Sequence, residues 1–355
     1  MGFKSGDDVY KFTLIKKLGG NFGEVWQAFD NTIQREVALK ILEPSYEPVA
    51  KLLDEARIGN KFDQKNLLPI HYADVVSLKG KTYTLISQEY YKNGAITGHL
   101  NGNNFLPLTQ TLKVLQDILF GLEYLHNGGF YHNDIKPGNI LVDDQMNYLL
   151  ADYGISGYSI NGTPVAPKNF YRVQSAPETS SGSPLISVHS DIYQVGCTAY
   201  RLLNGISNLK NEFHTLGPVK YEEEKLKGKI PNINNYEPFV PSRLKKIINK
   251  ALNIDPTKRF SSALEMRRQL EKLHFPAYWT VDPITSKLIG IGQKYHYRFN
   301  IQPLPGNLFN FQSTRENNVS GTINKIHPFT KNRISENEMI KLKKNFINWV
   351  IENGA

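Results

Sequence analysis

The chain has 355 residues, 40% hydrophobic and 21% charged, a globular composition on a length greater than one core usually holds, so two lobes and an appendage are expected. No apolar run nears the roughly 18 residues that a membrane-spanning helix needs, and one cysteine, Cys197, excludes an intrachain disulfide. The net charge of +9 is unevenly spread: residues 276–355 hold 10 Lys/Arg against 5 Asp/Glu, a surface open to an acidic or nucleic-acid partner or simply to solvent.

Met1-Gly2-Phe3-Lys4 lacks the apolar segment of a secretory signal, and Gly6 stands where a myristoylation pattern has Ser or Thr. With a single cysteine, this points to a cytoplasmic protein. Residues 10–42 read as strands around a glycine turn, with Glu36-Val37-Ala38-Leu39-Lys40-Ile41 as a buried strand. A helix is expected over 48–62, where Val49, Leu52, Leu53, Ala56 and Phe62 share a side, and strands over 69–76 and 82–89. From Leu106 the period lengthens: Leu112, Leu115, Ile118, Leu122 and Leu125 mark a helix ending at Gly128-Gly129. Further helices are expected over 190–203, 241–253 and 262–273. Past Phe275, Tyr295, Tyr297 and Phe299 alternate with polar residues, and a last helix runs from Ser335, its N-cap, to about Asn353.

The strongest chemical signal is His132-Asn133-Asp134-Ile135-Lys136-Pro137-Gly138-Asn139, followed by Asp152-Tyr153-Gly154. Asp, Lys and Asn at this spacing can put a base, a phosphate contact and a metal ligand in one loop, with Asp152 as a second hard oxygen ligand. The string resembles the catalytic loop of the eukaryotic-type (Hanks-type) serine/threonine protein kinases, with Asp152-Tyr153-Gly154 as a variant of their Asp-Phe-Gly. Other stretches match in the same order: Val37-Ala38-Leu39-Lys40, Ala176-Pro177-Glu178, Asp191 and Gly196 in 190–196, and Arg259 in 255–260.

That resemblance implies an α+β, bilobal protein-kinase fold over 10–274, with a β-rich N-lobe over about 10–91 and a helical C-lobe over about 92–274. A tail (1–9) would precede it, and a small C-terminal β-plus-helix extension of unknown role (275–355) would follow. The activity implied is transfer of the γ-phosphate of ATP to serine or threonine hydroxyls of protein substrates, assisted by Mg2+ or Mn2+. Asp134 takes the place of the base, Lys136 and Lys40 contact phosphates, Glu55 pairs with Lys40, and Asn139 and Asp152 hold the metal. ATP would be enclosed by Leu18, Gly19, Gly20, Asn21, Phe22, Gly23, Val25, Ala38, Lys40 and Leu141, with Gln88 as gatekeeper and the backbone of Glu89 and Tyr91 facing adenine.

Several positions depart from the family. Its G-x-G-x-x-G loop is one residue short here, Gly59 replaces a large apolar residue one turn after Glu55, and Asn133 replaces the Arg that greets a phosphate on the activation loop. Control by loop phosphorylation is therefore not expected, although Ser156, Ser159, Thr163 and Ser175 offer hydroxyls. Tyr171 stands where Ser/Thr kinases usually carry threonine. Glu178 and Arg259 would form a structural ion pair, worth about 3–5 kcal/mol if one partner is cut. Two rival readings remain: a catalytically weak pseudokinase serving as scaffold, and a small-molecule phosphotransferase of related fold.

Overall fold

A computed structural model describes the chain apart from residues 1, 21–22, 44–52, 54–55, 57–58, 60–62, 79, 101–104, 154–156, 160, 168, 170, 181–183, 283–284, 286 and 355. It divides into two compact units, one of Met1–Gly98 with Asp117–Gln194, the other of His99–Gln116 with Val195–Ala355.

The first unit opens with β1 (Asp8–Val9), β2 (Phe12–Gly19), β3 (Glu24–Asp30), β4 (Arg35–Leu42), β5 (Ile70–Leu78) and β6 (Lys81–Glu89). They form one sheet in the order β1-β2-β3-β4-β6-β5, antiparallel throughout. Successive strand residues point to opposite faces, and here the two faces differ in chemistry. Phe12, Leu14, Trp26, Ala28, Val37, Leu39, Ile41 and Leu85 share one buried cluster. On the other face Val25 pairs across with Lys40, and Ala38 with Gln88. A one-residue slip of β4 would exchange Lys40 for apolar side chains, so burial of Val37, Leu39 and Ile41 fixes where the lysine points.

Helix α1 (Leu108–Asn127) begins in the second unit and ends in the first. Leu115, Ile118, Leu122 and Leu125 are buried as their spacing predicts, whereas Leu112 is half-buried. Short strands follow: β7 (Phe130–Tyr131), β8 (Ile140–Val142), β9 (Tyr148–Leu150) and β10 (Gly157–Tyr158), with β8 paired to β9 and β7 to β10. Helix α2 (Val188–Asn204) places Asp191 in its first turn.

The second unit adds α3 (Asn208–Leu216), α4 (Pro218–Leu226), α5 (Ser242–Ala251) and α6 (Ala263–Glu271). The periodicity marks α5 and α6 but not α3 and α4. The chain then forms β11 (Ala277–Val281), β12 (Leu288–Gly292), β13 (Tyr295–Leu304), β14 (Leu308–Asn317), β15 (Ile323–Lys325) and β16 (Lys331–Ser335), an antiparallel sheet, and α7 (Glu336–Asn353). Ser335 caps α7 in a reciprocal box with Glu338. Trp279, Phe311 and Phe346 are fully buried, and the Trp279 indole N–H donates to the Ile347 carbonyl at 3.1 Å. Truncating any of these rings to alanine would cost about 3–5 kcal/mol.

The α+β class, the β-rich first part, the helical middle and the β-plus-helix end are thus as expected. Of the helix expected over 48–62, only three residues are described, among them Ala56 and Gly59, both helical and buried. Among the described residues, no helix is long and apolar enough to cross a membrane.

Candidate active site

The glycine turn joins β2 to β3. Gly20 has φ 124° and Gly23 φ 152°. A Cβ on Gly20 would stand 2.2 Å from the Gly23 carbonyl oxygen, and one on Gly23 2.5 Å from Leu42 Cδ2. Only glycine fits both places. Leu18 and Gly19 lie at the exposed end of β2, while Asn21 and Phe22 fall outside the described residues.

The loop from His132 to Asn139 is held from beneath by α2. Asp191 accepts the backbone N–H groups of His132 at 2.8 Å and Asn133 at 2.7 Å, and lies 2.9 Å from His126 Nε2. Gln194 accepts from the Ile135 N–H and donates to the Asn133 carbonyl, both at 2.8 Å. A buried backbone without such partners would be costly, so these two side chains permit the loop to be buried at all. Asn133 takes φ 63°, a left-handed conformation that asparagine tolerates well.

Within that loop three sequence-selected residues meet. Asp134 Oδ2 accepts from Lys136 Nζ at 2.6 Å and from Asn139 Nδ2 at 2.8 Å. Asn139 Nδ2 also donates to the Asp134 carbonyl at 2.9 Å. Asp134 Oδ1 is buried and has no hydrogen-bond partner among the described residues. Burial pushes the Asp134 carboxyl above its ordinary value of 3.8, which Lys136 only partly offsets. Burial likewise pushes His132 below its ordinary value of 6.5, and its Nδ1 accepts the Asp134 N–H at 3.3 Å.

Asp152 arrives from β9. The Ala151 N–H donates to the Asn139 carbonyl at 2.9 Å, which ties the backbone next to Asp152 to that of Asn139. Lys40 Nζ reaches Asp152 Oδ1 at 3.0 Å. Burial alone would raise the Asp152 carboxyl, but Lys40 and then Lys136 more than offset it and hold it below the ordinary value. Glu55, the expected partner of Lys40, lies outside the described residues. Tyr153 is buried, with its hydroxyl donating to the Leu150 carbonyl at 3.1 Å; Gly154 lies outside the described residues.

Val25, Ala38, Lys40 and Gln88 share a sheet face, and Leu141 sits half-buried on β8. Glu89 and Tyr91 line a cavity of about 460 Å³ with Glu36, Lys92, Asp143 and Asp144. Spacing did not reveal the segment beyond Asp152 as a partner of the loop. Asn133 Nδ2 donates to the Asn169 carbonyl at 2.8 Å, and Gln174 Nε2 to the Ile135 carbonyl at 3.0 Å. The signal, amide side chains at 133 and 174, was present but ambiguous.

Among the described residues, no group of three or more His, Cys, Asp or Glu could hold a metal ion. One carboxylate and one amide oxygen do suit magnesium, which prefers a few protein oxygens and takes the rest from phosphate and water. Both Asn139 amide hydrogen bonds use Nδ2, which spares Oδ1 for that purpose. The residues fit such an ion.

The family model described as "Protein kinase domain" matches residues 12–271. The chain is 28% identical over 273 residues to "Serine/threonine-protein kinases drp72" of Corynebacterium efficiens, covering 72% of this chain and 49% of that protein. It is 27% identical over 269 residues to "Serine/threonine-protein kinase PrkC" of Bacillus subtilis, covering 74% of this chain and 40% of that protein. A third relative is "Probable serine/threonine-protein kinase PknB" of Lactococcus lactis, 28% identical over 265 residues, with 72% of this chain and 41% of that protein covered. The chain spans half or less of the length of these curated relatives. The match to the family model runs through the strand of Lys40, the Asp134 loop and Asp152, and the chain belongs to the protein kinase family.

Proposed function

We propose that the chain is an ATP-dependent serine/threonine protein kinase. The observation that carries this is the convergence of Asp134, Lys136 and Asn139 in one buried loop beside the Lys40–Asp152 pair. In the proposed reaction the acceptor hydroxyl oxygen attacks the γ-phosphorus of ATP, the bond to the ADP oxygen breaks, and the hydroxyl proton passes to Asp134. Its Oδ1, buried and free of hydrogen bonds within the described residues, is the atom that can take it. Lys40 and Lys136 offset phosphate charge, and the glycines at 20 and 23 let backbone N–H groups approach the anion. Asn139 and Asp152 would hold magnesium, or manganese in its place, whose charge draws electron density from the transferred phosphate.

Lys136, two positions after the base, supports serine or threonine as acceptor, and the names of the relatives agree. The kinase domain is assigned to about 10–274, followed over 275–355 by a β-plus-helix part that belongs to the same compact unit as the chain from Val195 onward and whose basic surface could meet an acidic or nucleic-acid partner. Cytoplasmic placement rests on the single, buried Cys197. The test is incubation of the full chain with γ-labelled ATP and magnesium, a generic protein substrate and a panel of small acceptors, followed by phosphosite mapping. Label on protein serine or threonine supports the reading. Label only on small acceptors supports the phosphotransferase alternative, and nucleotide binding without transfer supports the scaffold.

A further inference from the structure

We infer that Tyr171 is a positioning residue whose ring face holds the Lys136 ammonium beside Asp134. The inference rests on the kinase reading above and adds a residue to it. Lys136 Nζ lies 4.8 Å from the Tyr171 ring centroid and 2.6 Å from Asp134 Oδ2. The Lys136 side chain is only 14% exposed, so water screens neither contact well. An ammonium over an aromatic face is attracted by the ring quadrupole, more strongly where water is excluded.

The ring is placed by its surroundings. The Tyr171 carbonyl accepts the N–H groups of Gln174 at 3.0 Å and Ser175 at 2.9 Å, closing a turn. Gln174 then reaches the Ile135 carbonyl at 3.0 Å, between the two residues the ring serves. On the other side the Asn169 carbonyl accepts from Asn133 Nδ2 at 2.8 Å. Tyr171 is therefore bracketed by two amide ties to the loop that carries Asp134 and Lys136.

The chemistry explains why a ring is useful there. A lysine bonded to the base by charge alone would be drawn wholly onto the carboxylate. A second, uncharged attraction shares the ammonium and leaves it able to turn to a phosphate oxygen. The threonine usual in Ser/Thr kinases at this place could offer only a hydroxyl, whereas Tyr171 offers a π face. The ring acts through Lys136 and takes no proton.

The test compares Tyr171→Leu and Tyr171→Met, which lose the ring, with Tyr171→Phe, which keeps it. Both ring-less variants should lower kcat about tenfold with KM for ATP changed by less than about twofold, and Tyr171→Phe should recover most of the loss. Independently of activity, the Lys136 ε-methylene protons of chain labelled with 13C-lysine, assigned by their loss in Lys136→Arg, should resonate upfield through the ring current. The shift should persist in Tyr171→Phe and vanish in Tyr171→Leu. Unchanged kcat in both ring-less variants, or a Lys136 signal with no upfield shift in the unsubstituted chain, overturns the inference. A shifted Lys136 signal in a chain that transfers no phosphate overturns the activity reading alone.

Discussion

Lys40 Nζ stands 3.0 Å from a carboxylate oxygen of Asp152, a residue 112 positions later in the chain. The strand that carries the lysine has its register fixed by burial of Val37, Leu39 and Ile41 on the opposite face. The loop that carries the carboxylate is fixed by the Ala151–Asn139 bond. A cation and an anion from distant segments are thus paired at the place where nucleotide and metal are proposed to bind. Lys40→Met should lower kcat/KM by about 10²–10³-fold, the size expected for one lost charge-stabilising donor. Asp152→Asn should flatten the dependence of ATP affinity on magnesium, as titration calorimetry with and without the ion would report.

Asn133 ties the loop to the Asn169 carbonyl through an uncharged hydrogen bond, where the family usually places an arginine that needs a phosphate. Activity should therefore be the same before and after phosphatase treatment, measured as initial rate on one substrate. A large loss on dephosphorylation would contradict this. Asn133→Ala removes the bond and puts a less tolerant residue at φ 63°. It should destabilise the chain by about 1–3 kcal/mol in denaturant unfolding.

The turn before α6 yields a pH prediction. Glu265 accepts from Lys250 Nζ, from the Ser261 N–H and from the Ser261 hydroxyl, and these bonds, that of Lys250 first, bring its carboxyl down to about 2 from 4.5. A lowered folded value means stability that is present above 4.5 and lost as pH falls toward 2. The side chain is 37% exposed, so solvent screening limits the contribution to about 1 kcal/mol. Glu265→Gln should lower Tm by about 2–4 °C at pH 7, with the gap closing as the solution is acidified below the ordinary glutamate range. A gap that widens on acidification would contradict the assignment.

Gly59 lies against Ile70: a Cβ there would meet Ile70 Cδ1 at 2.2 Å and Cγ1 at 2.7 Å. Gly59→Ala should therefore destabilise despite the roughly 1 kcal/mol gain in helix propensity. Combined with Ile70→Val it should cost less than the sum of the two single changes, a coupling that a double-mutant cycle measures.

That glycine shows where sequence reading stops. A glycine inside a helical pattern reads as loss of propensity, and nothing local reveals the isoleucine that occupies the space of its missing side chain. The cluster of Asp134, Lys136 and Asn139 was legible because its members lie within six positions and their types are chemically particular. The work of Gln194 and Gln174 was not, since their partners are backbone groups some 40 to 60 positions away. Helices α3 and α4 escaped because each has nine residues and buries little, Leu209 in one and Tyr221 and Lys225 in the other. Too few apolar positions remain to set a period.

Asp134 is the proposed base for transfer from ATP. The decisive measurement is single-turnover transfer of labelled phosphate by Asp134→Ala at saturating magnesium and ATP. The rate should fall by at least about 10²–10⁴-fold with nucleotide binding retained. A rate near that of the unsubstituted chain would remove Asp134 from the reaction and the proposed mechanism with it.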